Sequence, residues 1–99
     1  MNNNGYSGSI MNTENGRCFL CGAETETARH EIYFGSANRR LSKKYGLWVD
    51  ICPMCHQYGE HAVHRDRNAD LFLKRVGQNR FEKEHSREEF MKIFGRSYL

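Results

Sequence analysis

The sequence predicts a small α+β domain, held together by a bound metal, with helices at its C-terminal end. Three observations indicate this. The four cysteines form two Cys-x-x-Cys pairs, Cys18/Cys21 and Cys52/Cys55. The segment between the pairs has room for two short strands and a loop, and the last third of the chain has helical periodicity and capping residues. With 99 residues, of which 38% are hydrophobic, we expect one domain with a small core.

The first part of the chain, residues 1–16, is rich in Asn, Gly and Ser and has few apolar side chains. Such a composition buries too little apolar surface to offset the entropy lost on ordering, so we expect a disordered N-terminal segment and a folded domain over residues 17–99. No secretory signal and no membrane-spanning stretch is predicted, because there is no sufficiently apolar run. We therefore expect a cytoplasmic protein without a membrane partner; the sequence leaves its oligomeric state open.

The cysteine pairs predict a metal site. Two Cys-x-x-Cys turns can aim four thiolates at one point, and four tetrahedral sulfur ligands are a set that Zn²⁺ favours. We expect Cys18, Cys21, Cys52 and Cys55 to bind one structural Zn²⁺, which would help a domain of this size to fold. Two disulfides are the competing interpretation, but in a reducing compartment such pairs are more often metal sites. A redox protein is a weaker alternative.

The elements follow in chain order. Residues Thr27–Phe34 alternate and include β-branched and aromatic side chains, which predicts a short strand. The polar, basic stretch Gly35–Tyr45 is expected to be a loop, and Leu47–Ile51 is expected to be a second strand that leads into the second cysteine pair. Pro53 fits the first position of a helical turn, which Gly59 prevents from continuing far.

Two helices are predicted after this turn. Asp66 or Asn68 can cap the first of them. Ser86 and Glu89 form a capping box for the second. The apolar face and the glycine stop of this last helix are provided by Phe90, Ile93, Phe94 and Gly95.

Three histidines could carry chemistry. His30 lies on the first predicted strand, and His56 and His64 follow the second cysteine pair. A neutral imidazole beside a bound divalent metal can act as a general base on water, and a second metal held by His56 and His64 could stabilise the negative charge that develops on a phosphodiester. Mg²⁺, Mn²⁺, Ni²⁺ and Zn²⁺ all remain open as this metal. The alternatives are a strand histidine bonded to a carbonyl for His30 and a spare zinc ligand for His56.

The order of these motifs resembles that of the HNH (ββα-metal) endonucleases, in particular small phage-type members with a four-cysteine zinc site. The resemblance rests on the first cysteine pair, then Arg29-His30-Glu31-Ile32, then Cys52-x-x-Cys55-His56, then Val63-His64, and it extends from about residue 17 to the C-terminus. It implies a zinc-stapled ββα-metal, treble-clef-like domain in a bacterial or phage-infected cell. The implied activity is metal-dependent hydrolysis of DNA phosphodiesters.

The first strand fits the family pattern in two registers, because the family places a metal ligand directly before the catalytic histidine. In one register His30 is the general base and Arg29, which cannot bind a metal, stands at the ligand position, so Glu31 supplies the missing oxygen. In the other, His30 is a ligand and Glu31 occupies the position of the base. We favour the first, in which His30 activates water while Glu31, His56 and His64 hold the catalytic metal.

The basic stretch is the expected contact to DNA. Five residues form it: Asn38, Arg39, Arg40, Lys43 and Lys44. We expect them to bind backbone phosphates, although such charge runs are often only solvated. The net charge of +3 gives weak support. Asn38 is also the nearest counterpart of the asparagine in the family motif.

The rival function is a non-catalytic zinc module that binds DNA or a protein partner. It predicts an occupied four-cysteine site and no second metal. The enzyme hypothesis requires more, because His30, His56 and His64 must then point into one cleft. Convergence of these three side chains is therefore the feature that separates the two hypotheses.

Overall fold

The protein has a small α+β fold, as the sequence predicts, in a computed structural model that describes residues 5–99. The strands are β1, Ala28–Glu31, and β2, Trp48–Ile51. The helices are α1, Asn38–Tyr45; α2, Arg67–Phe81; and α3, Arg87–Phe94. One π-helical turn, Met54–Tyr58, follows β2.

The two strands pair in antiparallel fashion, with His30 opposite Val49. All four residues of β2 are buried, and the two residues after β1, Ile32 and Tyr33, are fully buried as well. The core extends from this sheet to the last two helices through Leu73 and Phe81 and through further buried side chains: Leu47, Ile51, Phe90 and Phe94. The pairing of β1 with the buried β2 fixes where the first-strand histidine lies relative to the turn after β2.

The segment predicted to be a loop, residues 35–45, is largely helix α1, so that prediction is wrong. Arg, Leu and Lys are good helix formers. Leu41 and Tyr45, four residues apart, both pack against the core. The buried Ser42 hydroxyl accepts a bond from the Tyr33 backbone N–H at 3.0 Å and donates to the Tyr33 carbonyl at 2.7 Å. Charged residues dominate this stretch, so its short amphipathic pattern with one buried serine was not recognised from the sequence.

Residues 5–16 pack against the domain, so the prediction of a disordered segment over residues 1–16 is wrong for this part; residues 1–4 lie outside the described residues. Met11 is 3% exposed and belongs to the core. The Ile10 N–H donates to the Gly46 carbonyl at 2.9 Å. Gly46 has φ 72°, and a Cβ there would overlap the Gly8 carbonyl oxygen. Backbone bonds and one methionine hold a segment whose composition suggested disorder.

The caps of the last two helices agree with the sequence. The Asp66 carboxylate accepts from the Asn68 N–H at 2.9 Å, so Asp66 is the cap of α2. The Ser86 hydroxyl accepts from the Glu89 N–H at 3.0 Å, and Gly95 ends α3 in the left-handed conformation. None of the described helices is both long and apolar enough to cross a membrane.

Candidate metal centres

The four cysteines form one cluster. Their sulfur atoms all lie within 4.8 Å of one another, and none of them is in a disulfide. Cys52 directly follows β2, and the loop that carries Cys18 is tied to the same strand because the Phe19 N–H donates to the Asp50 carbonyl at 2.8 Å. The predicted grouping of the two pairs is therefore confirmed as a candidate metal site.

The backbone supports a thiolate at Cys18. The Cys21 N–H points at the Cys18 sulfur at 3.4 Å, and the turn closes with a bond from the Gly22 N–H to the Cys18 carbonyl at 2.9 Å. Burial alone would raise the pKa of the Cys18 thiol, but backbone N–H groups around its sulfur lower that pKa to about 6. Gly22 has φ 80°, which suits this tight turn.

The three predicted histidines form a second cluster. One ring nitrogen from each of them lies within 4.8 Å of the other two, and the Nε2 atoms of His56 and His64 are 3.1 Å apart. The ring centroid of His30 lies 5.3 Å from that of His56 and 5.2 Å from that of His64. The chain after the π-helical turn folds back on it, since the Val63 N–H donates to the Cys55 carbonyl at 2.8 Å. The three side chains converge, as the enzyme hypothesis requires.

His30 is a buried group without a polar partner. It is 3% exposed, and within residues 5–99 its Nε2 is the only buried side-chain nitrogen or oxygen without a hydrogen bond. Burial, reinforced by His56 and His64, lowers the pKa of His30 to about 3. An unsatisfied buried polar atom costs about 1–3 kcal/mol. A cation bound at Nε2 would satisfy this atom, provided that Nδ1 carries the ring proton.

His56 is partly exposed, and its environment also disfavours protonation. Burial and then the neighbouring His64 lower its pKa, and Glu31 acts in the opposite direction. Neutral imidazoles are the form that binds metals. His30 and His56 thus offer a cation uncharged nitrogen ligands.

The histidines line a cavity of about 230 Å³. The remaining walls come from Arg29, Glu31, Phe34, Arg39 and Gln57. The cavity therefore combines imidazole nitrogens, one carboxylate and two guanidinium groups. Such a set can hold a cation and an anionic substrate side by side.

Glu31 does not join the clustered ligand atoms. Its Oε2 accepts a hydrogen bond from the Tyr6 hydroxyl, and its Oε1 lies 3.4 Å from Arg39 Nε. The side chain is 13% exposed and stands at the cavity wall. The sequence-based expectation of Glu31 as a ligand beside His56 and His64 is therefore not reproduced by this geometry.

The basic residues divide between two faces of α1. Arg39, at the cavity, shares a face with Lys43, whose Nζ lies 4.9 Å from the centroid of the Tyr6 ring. Arg40 and Lys44 occupy the next face, with Lys44 Nζ 5.4 Å from the centroid of the Tyr45 ring. The remaining members of the predicted stretch, including Asn38, do not line the cavity.

Sequence reasoning missed Arg29 and Tyr6 as parts of the site. Arg29 is a strand neighbour of His30, so its place at the same cavity could have been suspected. Tyr6 gave no signal, because it lies in a segment of polar composition far from the motifs. His61, by contrast, is exposed and pairs with Asp66, with 2.9 Å between Nδ1 and Oδ2, outside the three-histidine cluster.

The two clusters can bind different ions. Thiolates select soft or borderline metals, whereas imidazoles suit several first-row divalent metals. The histidine cluster also adjoins cationic side chains, which gives it the means to attract an anionic substrate. Comparisons with protein-family models, curated proteins and solved structures found no match to this chain, so its functional assignment rests on its own geometry and chemistry.

Proposed function

We propose that the protein is a metal-dependent endonuclease that hydrolyses DNA phosphodiester bonds on a zinc-stapled ββα-metal fold. The observation that carries the proposal is the convergence of His30, His56 and His64, from three parts of the chain, on one cavity with two guanidinium groups. A module that only binds DNA needs no such group of imidazoles. The unpartnered nitrogen of His30 gives independent support, since a bound cation would satisfy it.

In this proposal the four cysteines hold structural Zn²⁺. A tetrahedral site with Zn–S bonds of about 2.3 Å has sulfur–sulfur edges of about 3.8 Å. The sulfur atoms of Cys21 and Cys52 are 3.8 Å apart. The zinc joins the loop before β1 to the end of β2, and it thereby fixes where the turn with His56 begins.

The catalytic ligands are His30, His56 and His64. A divalent cation held there supplies Lewis-acid stabilisation of the charge that develops on a phosphodiester. Arg39 binds a neighbouring phosphate oxygen. Glu31 is the carboxylate at the cavity wall and accepts the proton of the attacking water at its Oε1 or Oε2.

This assignment adopts the second register of the first-strand motif. A nitrogen that is buried and within 4.8 Å of two other candidate ligand atoms is suited to coordination. A general base must instead reach the attacking water, and the Glu31 carboxylate, which is 13% exposed at the cavity wall, is better placed for that. The earlier assignment of His30 as base and Glu31 as ligand remains the alternative, and metal titration separates them.

A plasmid-nicking assay tests the function. The parent protein should nick supercoiled DNA with at least one of Mg²⁺, Mn²⁺, Ni²⁺ and Zn²⁺ and should stop when EDTA is added. His64→Ala should lose this activity, and higher metal concentrations should restore part of it. His61→Ala, the matched control, removes an exposed histidine outside the cluster and should cut like the parent. A parent protein that never nicks DNA with any of these metals contradicts the proposal.

One observation favours the second candidate, a non-catalytic zinc module. The Glu31 carboxylate is already engaged by Tyr6 and Arg39, so a general base is not free in this geometry. A binding module predicts DNA affinity without nicking and zinc at the cysteines only. The nicking assay and a count of bound metals therefore separate the two functions.

A further inference from the structure

Arg29 lies at the cavity wall, outside both metal clusters, and two aromatic rings hold it there. Its guanidinium carbon is 4.6 Å from the centroid of the Tyr6 ring and 4.4 Å from that of the Trp48 ring. The two rings meet edge to face, with centroids 5.5 Å apart. Cation–π contacts of this kind attract the guanidinium to the rings without using its N–H groups in conventional hydrogen bonds.

Among residues 5–99, the guanidinium N–H groups of Arg29 have no hydrogen-bond acceptor. The contacts of the guanidinium there are those with the rings of Tyr6 and Trp48. Asp50 is its strand partner, but the Asp50 carboxylate accepts a hydrogen bond from Thr13 at 3.2 Å. Arg39, the other guanidinium of the cavity, already contacts Glu31 at 3.4 Å. Within residues 5–99, Arg29 is therefore the cavity cation that two rings position and whose guanidinium has no hydrogen-bond acceptor.

The N-terminal segment builds this aromatic support. The Trp48 indole N–H donates to the Ser7 carbonyl at 2.8 Å, and the Ser7 N–H donates to the Lys43 carbonyl at 2.9 Å. The Tyr6 hydroxyl donates to Glu31. The Tyr6 ring is thus fixed at its hydroxyl end by the cavity carboxylate and lies in a segment bonded to β2 and α1.

We infer that Arg29 binds a phosphate group of the nucleic acid at the mouth of the cavity, with Tyr6 and Trp48 as its positioning residues. The identity of the substrate rests on the proposed function. A guanidinium already positioned by two aromatic rings can offer two parallel N–H bonds to phosphate oxygens at little further cost in side-chain entropy. Arg29 and Arg39 then contact the phosphates beside the three histidines.

Fluorescence anisotropy with a labelled DNA duplex, without added catalytic metal, tests this inference over a range of salt concentrations. Arg29→Gln should weaken binding at least about tenfold, as expected for a lost charge-assisted bond, and should lower the salt slope by about one. Arg29→Lys retains the charge but not the planar guanidinium that can donate two parallel hydrogen bonds. It should therefore keep the salt slope and lose only part of the DNA affinity.

The matched control is Arg96→Gln. Arg96 also stacks on an aromatic ring, with its guanidinium carbon 4.5 Å from the centroid of Tyr98, but it does not line the cavity. This variant should bind DNA within about twofold of the parent, since surface substitutions away from a binding site have small effects. Equal losses in Arg29→Gln and Arg96→Gln would overturn the inference, because they would reflect only net charge.

Two substitutions of Tyr6 test the positioning role. Tyr6→Phe keeps the ring but removes its hydroxyl bond to Glu31, so it should lose less DNA affinity than Tyr6→Leu, which removes the ring and should approach the affinity of Arg29→Gln. Melting temperature and zinc content, measured on each variant, check that the fold is intact. If Tyr6→Leu and the parent bind equally well, the ring does not position Arg29 and that part of the inference is overturned.

The outcomes for binding and cutting are separable. If the parent nicks DNA but Arg29→Gln binds with unchanged affinity and salt slope, the inference is wrong and the proposed function stands. If the parent never nicks DNA but loses affinity on Arg29→Gln, the endonuclease proposal is wrong and the phosphate site stands. A parent that binds no duplex at low salt overturns the inference.

Discussion

The cysteine cluster and the histidine cluster are built in different ways. Each cysteine pair is local in sequence, so one tight turn sets two ligands and only the meeting of the two turns is tertiary. The histidines come from β1, from the π-helical turn and from the segment after it. The cysteine ligands are set by two local turns, so substitutions elsewhere in the fold should disturb them little. The histidine ligands depend instead on how the sheet packs against the π-helical turn.

The two clusters also differ in how the protein satisfies their atoms. The Cys18 sulfur receives a backbone N–H at 3.4 Å, while the buried Nε2 of His30 has no hydrogen-bond partner in the part of the chain that the structure describes. The first cluster is thus partly stabilised by its own loop. The second retains an unsatisfied nitrogen beside an open cavity, which is the arrangement expected of a site that acts on a ligand.

The largest expected effect is the loss of the fold in Cys52→Ser. Structural zinc contributes about 10–16 kcal/mol in zinc-finger peptides, far more than a small core can replace. The variant should lack zinc by elemental analysis and should show no cooperative melting by circular dichroism. His64→Ala, changed only in the other cluster, should keep its zinc and its melting transition. Two disulfides and no zinc in the parent would refute the assignment of the cysteine cluster.

The next largest effect concerns the role of His30. His30→Ala should reduce nicking at least about 100-fold at low metal concentration, and excess metal should recover part of the rate, as expected of a lost ligand. A lost general base costs about 10²–10⁴-fold and metal does not recover it. Initial rates over a metal titration distinguish the two. A rate that stays low at every metal concentration would restore the general-base assignment.

A smaller effect is expected from the basic helix. Arg39→Ser with Lys43→Ser should weaken DNA binding at low salt and lower the salt slope by about 0.9 for each lost phosphate contact. Arg40→Ser with Lys44→Ser is the matched control, with the same charge loss and helix propensity on the next face of α1, neither residue of which lines the cavity. Anisotropy titrations at several salt concentrations compare them. If the two double variants lose the same DNA affinity, the contact between α1 and DNA does not depend on the helix face that carries Arg39.

The smallest expected effect is that of His61→Ala. His61 is exposed, and its contact with Asp66 is a surface pair, so its removal should leave the free energy of unfolding close to that of the parent. Chemical denaturation and metal analysis should match those of the parent. Loss of a second metal in this variant would show that the ligands include a histidine outside the His30, His56 and His64 cluster.

The features that sequence predicted are those with local causes. The meeting of the cysteine pairs follows from their spacing, and the caps at Asp66 and Ser86 follow from single side chains that accept backbone N–H groups. The two strands could be predicted from the β-branched and aromatic residues in their segments. The convergence of the histidines was expected because the strands pair as neighbours and the turn follows directly.

The features that sequence did not predict depend on contacts between distant segments. Helix α1 is held by Ser42 against the chain after β1, and residues 5–16 are held by backbone bonds that composition does not reveal. Tyr6 reaches Arg29 and Glu31 only through this packing. Composition and periodicity describe one segment at a time, so they could not show that the N-terminal segment contacts residues of the cavity wall.

Equilibrium dialysis against Ni²⁺ followed by elemental analysis tests most directly that the histidines form a metal site separate from the cysteines. The zinc-loaded parent should contain one zinc and one nickel ion per chain. His64→Ala should keep the zinc and lose most of the nickel, and His61→Ala should retain both. A parent that takes up no nickel, or a His64→Ala variant that takes up as much as the parent, would contradict the account.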